Sequence, residues 1–498
     1  MALIMAINPA SPKSDKSEQE DLLSRVRPTD WTNPEPKPLY DLVVIGAGPA
    51  GLTAAGMAKR LGHTVALVER NRLGGNSLNV GSIPSKTIIR SGRVFSAMRD
   101  CEDVGARSAV EPRVDFGAVM ARMRRVRTRI AEYHSADRLH AQGVDLFFGD
   151  ARFAAGNALA VGDTWLYFKK ALVATGAKPR PSNIPGLDQI GYLTSTTIFD
   201  LAALPDRLAI IGGGPLGCEL AQAFRRLGSQ VTIVQNDPKF LPHEERDAAE
   251  LLSMSLSRDG VETRLNTTVV AARIENGVKC LDTLNNGVKD VVRADEVMLS
   301  IGRLPNVEEL GLEAAEIACE SDGRIRTDDF LCTSNANIYA AGDVCMRHKF
   351  TNVAEMSARM AVQNAFGAGQ PKRTHQAIPW CTFCDPEIAH LGMQIWDARR
   401  RSIPLTTFTV MMQDVDRAIT DGQDDGFVKI HVRDGTDEIL GATIVAARAS
   451  EMINEMSVVM SAGIGMRALA DILHTYPAQS EAIRMAALAF VRDRPVSK

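Results

Sequence analysis

No stretch of this 498-residue chain stays apolar over the roughly 18 residues that a membrane-crossing helix needs, so no membrane span is expected. Nor is there an excess of positive charge. Lysine and arginine total 57 against 60 acidic residues, a formal net charge of -3, and such a balance offers no basic field to nucleic acid. Cysteine is equally thin: 8 residues in so long a chain cannot build a disulfide framework, which points to a reducing compartment. The opening "MALIMAINPASPKSDKSEQE" lacks the basic segment and small-residue cleavage site of a signal peptide, and a cytoplasmic protein is expected. What remains is an ordinary globular composition, 45% hydrophobic and 23% charged, in a chain too long for one core.

Residues 1–37 are polar and dotted with proline ("RPTDWTNPEPKP") and predict an extended N-terminal arm. The character then changes at "YDLVVIGAGPAGLTAAGMAKRLGHTVALVER". An apolar run, Leu42–Ile45, meets Gly46-x-Gly48-x-x-Gly51; an alanine-rich helical stretch follows, and a second apolar run, Val65–Val68, ends on Glu69. The layout returns in "RLAIIGGGPLGCELAQAFRRLGSQVTIVQN", with Gly212, Gly214 and Gly217 in the equivalent places. A single glycine motif is weak evidence, but each copy here lies between a strand and a helix and leads to a second strand. In that context the glycines permit a tight turn, close approach of the backbone to a pyrophosphate, and packing of the helix on the strand. Glu69 stands where a carboxylate accepts bonds from ribose hydroxyls. Its counterpart Gln235 neither repels a 2′-phosphate nor has an adjacent arginine to hold one; the missing arginine pair leans towards NADH over NADPH. Beyond residue 370, alternating segments ("GFVKIHV", "ILGATIV") precede helical patterns at Ala446–Met460 and Glu481–Val491, as in an α+β closing domain.

With these motifs assembled, the chain resembles the FAD-dependent pyridine nucleotide-disulfide oxidoreductases, among them mercuric reductase and dihydrolipoyl dehydrogenase. "ALVATGAKPRPSNIPG" and "SIGRLPN" resemble the family's crossovers between nucleotide domains, and "TSNANIYAAGDV" its second flavin fingerprint. "DPEIAHLG" and "HTYPAQSE" resemble motifs of its interface domain. The resemblance implies an α/β fold with two Rossmann-like domains and an α+β dimerisation domain. The expected division is an FAD-binding domain at 38–195 and 296–370, an NAD(P)-binding domain at 196–295 and an interface domain at 371–498. It implies FAD held by Gly46, Gly48, Gly51, Glu69, Asn76, Lys86, Ala174, Thr175, Gly176 and Asp343, and NAD(P)H by Gly212, Gly214, Gly217, Gln235 and Gly302. Lys86 would lie by the flavin N5, paired with Glu219. A homodimer is implied, with Tyr476 and Glu481 presented to the partner's flavin.

Two departures stand out. In "GGNSLNVGSIPSK", Ser77 and Ser82 occupy the positions of the family's redox cysteines, and a hydroxyl has neither a two-electron couple nor a thiolate. Tyr476 takes the place of the general-base histidine of disulfide reductases; mercuric reductases also carry tyrosine there, but binding soft Hg(II) needs thiols that are missing here. His474 lies two residues too early to substitute. Cys381-x-x-Cys384 lacks the second ligand pair of a zinc site, and no metal is expected. The sequence therefore predicts an NAD(P)H-dependent flavoprotein oxidoreductase passing electrons directly to a small diffusible acceptor such as a quinone, with Ser77 and Ser82 as polar wall residues and Tyr476 as a proton donor. Two alternatives stay open: a catalytically silent flavin-binding sensor or scaffold, and a Cys-to-Ser form of a mercuric reductase-like or dihydrolipoyl dehydrogenase-like enzyme.

Overall fold

Where the sequence predicts an extended arm, the chain forms a helix, α1 (Asp15–Val26). Its polar composition hides a buried stripe: Glu18, Leu22 and Val26 recur every four residues and are almost wholly buried. They face α5 (Phe116–Ala131), whose inner surface carries Val119, Met120 and Met123. The proline-dotted residues that follow are also docked. Asn33 hydrogen-bonds both the N–H and the C=O of Phe148, and the Trp31 indole donates to the carbonyl of Leu146 (3.3 Å), so an exposed strand edge is covered. The computed structural model describes residues 15–107, 113–367, 369, 371–372 and 377–494; the first 14 residues of the expected arm and the tail residues 495–498 lie outside that set.

The chain divides into two units. The first takes in the described residues up to Ile88, Asp115–Lys178, and the described part of Arg303–Thr374. Its sheet is built on β1 (Tyr40–Ile45) and β2 (Val65–Glu69), whose continuous Val, Leu and Ile suit strands buried on both faces. Between them runs α2 (Pro49–Arg60), with Pro49 in the first turn, where its missing N–H leaves no bond unmade. β3 (Asp145–Phe148), β2, β1 and the end of a long strand β6 (Thr164–Val173) lie parallel in that order, and Ile338–Ala340 joins β6 on its far side. The start of β6 turns back as an antiparallel ribbon with β5 (Ala158–Val161) and β4 (Ala151–Ala155).

In the second unit, strands Glu262–Arg264, Gln230–Val234, Arg207–Ile211 and Glu296–Leu299 form a parallel sheet. It adjoins an antiparallel trio, Thr267–Glu275, Val278–Asn285 and Val288–Ala294. Glu296–Leu299, expected with the second flavin segment, pairs with Arg207–Ile211 instead, and Leu187 and Ile190 of the segment 179–195 enter the same core. This sheet thus reaches beyond the 196–295 expected for the NAD(P)-binding domain, because apolar side chains on both flanks complete its core. The unit also holds a five-stranded antiparallel sheet, ordered Trp380–Thr382, Glu387–Gly392, Ile439–Ala446, Phe427–Arg433, Leu405–Met411. Helices Ala449–Ser461 and Glu481–Asp493, where the helical patterns predict them, pack on it through Met456, Ile483 and Phe490.

Adjacent carboxylates in this unit have opposite fates. Burial lifts Glu244 from 4.5 to about 7, although the Trp380 indole donates to it at 3.2 Å. Burial would also lift Glu245, but hydrogen bonds and charge from His431 (2.8 Å) and Lys429 (2.7 Å) outweigh it and bring the group to about 2.

Candidate functional site

The first glycine turn is fixed by what a side chain would strike. Gly46 has φ +99°, and a Cβ there would lie 2.5 Å from the Ala174 carbonyl oxygen; a Cβ on Gly51 would lie 1.7 Å from the Gly46 carbonyl oxygen. The turn delivers the backbone N–H groups at the start of α2 to one place, an arrangement suited to an anion. Glu69, at the end of β2, accepts the Ala47 N–H and the Asn71 N–H, both at 2.7 Å. Burial raises its carboxyl above the ordinary range, and the two N–H donors, with Arg27 and Arg70 nearby, oppose that rise.

A second group of side chains gathers at the crossovers. Thr175 Oγ1 donates to the Asn306 carbonyl (2.7 Å), and the Asn306 amide returns a bond to the Thr175 carbonyl (2.8 Å). The Ala177 carbonyl accepts from both Asn76 Nδ2 (2.7 Å) and Arg303 Nη2 (2.6 Å). Among the described residues Arg303 Nε is buried with no hydrogen-bond partner, 4.0 Å from a carboxylate oxygen of Asp343, which is itself raised by burial. Gly176 has φ +71° and open space where a Cβ would be. An orphaned guanidinium nitrogen, a buried carboxylate and a glycine facing open space fit a polar cofactor with a phosphate and a polyol, as a flavin nucleotide has. Arg303 and Asn306 fall inside the "SIGRLPN" crossover, where the family resemblance names only Gly302.

The sequence-predicted pair is split between two helices. Ser77 lies in α3 (Gly75–Asn79) and Ser82 begins α4 (Ser82–Arg99), of which residues 82–88 belong to the first unit. Ser77 is half-buried and its Oγ accepts a 3.0 Å bond from the Thr351 hydroxyl, while Ser82 is exposed. Thr351 opens the helix Thr351–Phe366, 274 residues from Ser77, and nothing local in the sequence marks it. Lys86 is half-buried one helical turn beyond Ser82, so the two share a face.

In the second unit the turn geometry repeats. Gly212 has φ +104°, and a Cβ on Gly217 would lie 2.3 Å from the Gly212 carbonyl oxygen. Gln235 stands in for Glu69, its Oε1 accepting the Gly213 N–H at 2.8 Å. Gly214 and Gly302 both face open space. Glu219 is buried on the helix Pro215–Leu227 and accepts the Phe383 N–H at 3.0 Å, a partner the sequence does not reveal. Tyr476 is 66% exposed and donates to Asp416 (2.7 Å), a hydrogen bond that raises its phenol above the usual value. Glu481 begins the helix Glu481–Asp493, and the His474 ring is engaged by Glu455 at 2.6 Å. All eight cysteines are free thiols, Cys381 half-buried and Cys384 buried. Among the described residues no three His, Cys, Asp or Glu side chains converge as a metal site, and no helix is long and apolar enough to cross a membrane.

The pyridine nucleotide-disulphide oxidoreductase profile matches residues 40–369, and the family's dimerisation-domain profile matches residues 378–487. The chain is 30% identical over 493 residues to the mercuric reductase of Bacillus cereus, covering 99% of this chain and 78% of that one. It is 32% identical over 450 residues to the dihydrolipoyl dehydrogenase of Bacillus subtilis (strain 168), covering 89% and 94%. Among solved structures, the HOCl-induced flavoprotein disulfide reductase RclA from Escherichia coli superposes with a TM-score of 0.81 at 28% identity, covering 90% of this chain and 99% of that one. The dimerisation domain supports a homodimer. The chain belongs to the pyridine nucleotide-disulphide oxidoreductase family, whose members are FAD-dependent oxidoreductases with NAD(P)H as electron donor.

Proposed function

We propose that this chain is an NAD(P)H-dependent flavoprotein oxidoreductase that reduces a diffusible small-molecule acceptor such as a quinone, without a disulfide or mercuric reductase step. The observation that carries this reading is Ser77, hydrogen-bonded to Thr351 on a helix beside the flavin-type glycine turn. A hydroxyl pair at the positions of Ser77 and Ser82 offers hydrogen bonds but no thiolate and no reversible two-electron couple. FAD, when bound, supplies the two-electron carrier between a nicotinamide donor and the acceptor.

The residues divide the remaining work. The start of α2, behind Gly46, Gly48 and Gly51, holds the pyrophosphate; Glu69 takes a ribose, and Asp343 with Arg303 the polyol and its phosphate. Asn76 and Ala174–Gly176 hold the ring system, and Lys86 contributes positive charge beside it. Gly212, Gly214, Gly217 and Gln235 bind the nicotinamide nucleotide. Ser77, Ser82 and Thr351 form a small polar wall. Tyr476 and Glu481, supplied across a homodimer, orient the acceptor, with the Tyr476 hydroxyl giving a proton to its oxygen.

Steady-state assays with a benzoquinone, an oxidised dithiol compound and Hg(II) as competing acceptors test the proposal. Turnover with the quinone and none with the other two is expected. Turnover with the dithiol compound or Hg(II) overturns it, and no turnover with any acceptor favours a silent flavin-binding protein.

A further inference from the structure

The N-terminal helix is attached to the segment that carries Asn76, Ser77, Ser82 and Lys86. Glu18, 4% exposed, divides its carboxylate between Arg124 Nε (3.1 Å) and Arg125 Nη1 (3.2 Å) of α5. On the same helix, Arg127 is 2% exposed; it donates to Gln19 Oε1 of α1 (3.4 Å) and to the carbonyl of Asn79 (3.0 Å), the last residue of α3. Arg122 donates to the carbonyl of Thr87, next to Lys86 (3.2 Å). The far end of α1 continues the pattern. The Val26 carbonyl accepts the Leu73 N–H (3.0 Å), and Arg27 lies over the Phe148 ring while reaching the Glu69 carbonyl (3.5 Å). Contacts from α1, Arg27 and α5 therefore meet the chain at residues 69, 73, 79 and 87, at intervals along the loop that holds the serines.

A helix of five residues such as α3 has no stability of its own and leaves its terminal carbonyls unpaired. Arg127 supplies a charge-assisted bond at that end, and α1 covers Arg127 so that the guanidinium is held dry and fixed. Glu18 sets one buried carboxylate against the two neighbouring guanidiniums of Arg124 and Arg125, tying α1 to α5 by charge.

We infer that α1 is a clamp on the loop Gly74–Thr87, with Glu18 and Arg127 as positioning residues that hold Asn76, Ser77 and Lys86 in place for the cofactor. That the ligand is a flavin rests on the function proposed above. The test uses the full chain carrying Glu18→Lys, and the charge-swapped triple variant Glu18→Lys, Arg124→Glu, Arg125→Glu. Amide hydrogen exchange over residues 75–88 is read by mass spectrometry, and release of FAD by the rise in flavin fluorescence. Glu18→Lys is expected to speed exchange at 79–87 and FAD release by about tenfold each, with β1 and β2 unchanged, and the triple variant to restore both. Unchanged exchange at 79–87 while α1 itself exchanges freely overturns the clamp. Faster exchange with unaltered FAD release overturns its cofactor role. A wild-type protein that cannot be loaded with FAD sinks the flavin reading alone, since exchange at 79–87 still decides the clamp.

Discussion

The two glycine turns are built on one plan and differ in the side chain that braces them. In the first, the Glu69 carboxylate ties down the Ala47 N–H and the Asn71 N–H; in the second, the Gln235 amide oxygen ties down the Gly213 N–H. Both side chains brace the turn from the end of the second strand, so bracing does not require charge. What the charge changes is the ligand. A buried carboxylate takes two donors from the protein and disfavours a phosphate beside the ribose, whereas an amide is neutral towards it. The contrast predicts that residue 235 governs nicotinamide selectivity and not turn stability.

The hardest way to break the comparison is to fill each turn. Gly51→Ala and Gly217→Ala place a Cβ 1.7 Å and 2.3 Å from backbone oxygens. Gly51→Ala is expected to yield colourless protein, and Gly217→Ala yellow protein that no longer bleaches with either nucleotide; absorbance spectra of the two separate the roles.

A second buried carboxylate sharpens the point about donors. Glu244 has one indole donor where Glu69 has two N–H groups, and burial lifts it from 4.5 to about 7. Because its folded value lies above its unfolded one, the folded state binds the extra proton, and stability is lost as pH rises from about 4.5 through about 7. Glu244→Gln should therefore be more stable than wild type at pH 8, by about 2–3 kcal/mol, with the gain vanishing near pH 4. Denaturant melts at several pH values check this; a gain that persists at acid pH contradicts it.

Exchanging the two bracing residues has a smaller effect. Gln235→Glu is expected to lower affinity for NADPH relative to NADH by about tenfold, and Glu69→Gln to weaken FAD binding by a similar factor through one lost N–H bond. Paired titrations measure both. Smallest is Tyr476→Phe, expected to slow quinone turnover several-fold while leaving the rate of flavin bleaching by nucleotide unchanged, as stopped-flow absorbance would show.

Much of this architecture is legible in the chain because it rests on short-range rules. Glycines at fixed offsets between apolar runs mark both nucleotide turns, and the unbroken runs mark buried parallel strands. The N-terminal helix was not legible: its apolar stripe is only Leu22 and Val26, and what buries them is α5, a hundred residues away. The same holds for Thr351 beside Ser77 and Arg127 beneath Asn79, contacts made by tertiary approach with no local sequence mark. The parallel sheet of the second unit extends past residue 295 for a related reason, since strand Glu296–Leu299 follows its hydrogen-bonding partner and not the nearest motif. Sequence periodicity reports what one segment buries, but not against what.

The proposed function requires that a flavin be reduced here with serine, not cysteine, at positions 77 and 82. Anaerobic titration of the purified yellow protein with NADH, then NADPH, followed by absorbance, tests it most directly. The account predicts bleaching of the flavin without a long-wavelength charge-transfer band. Failure to bleach with either nucleotide, or a long-wavelength band on reduction, would contradict it.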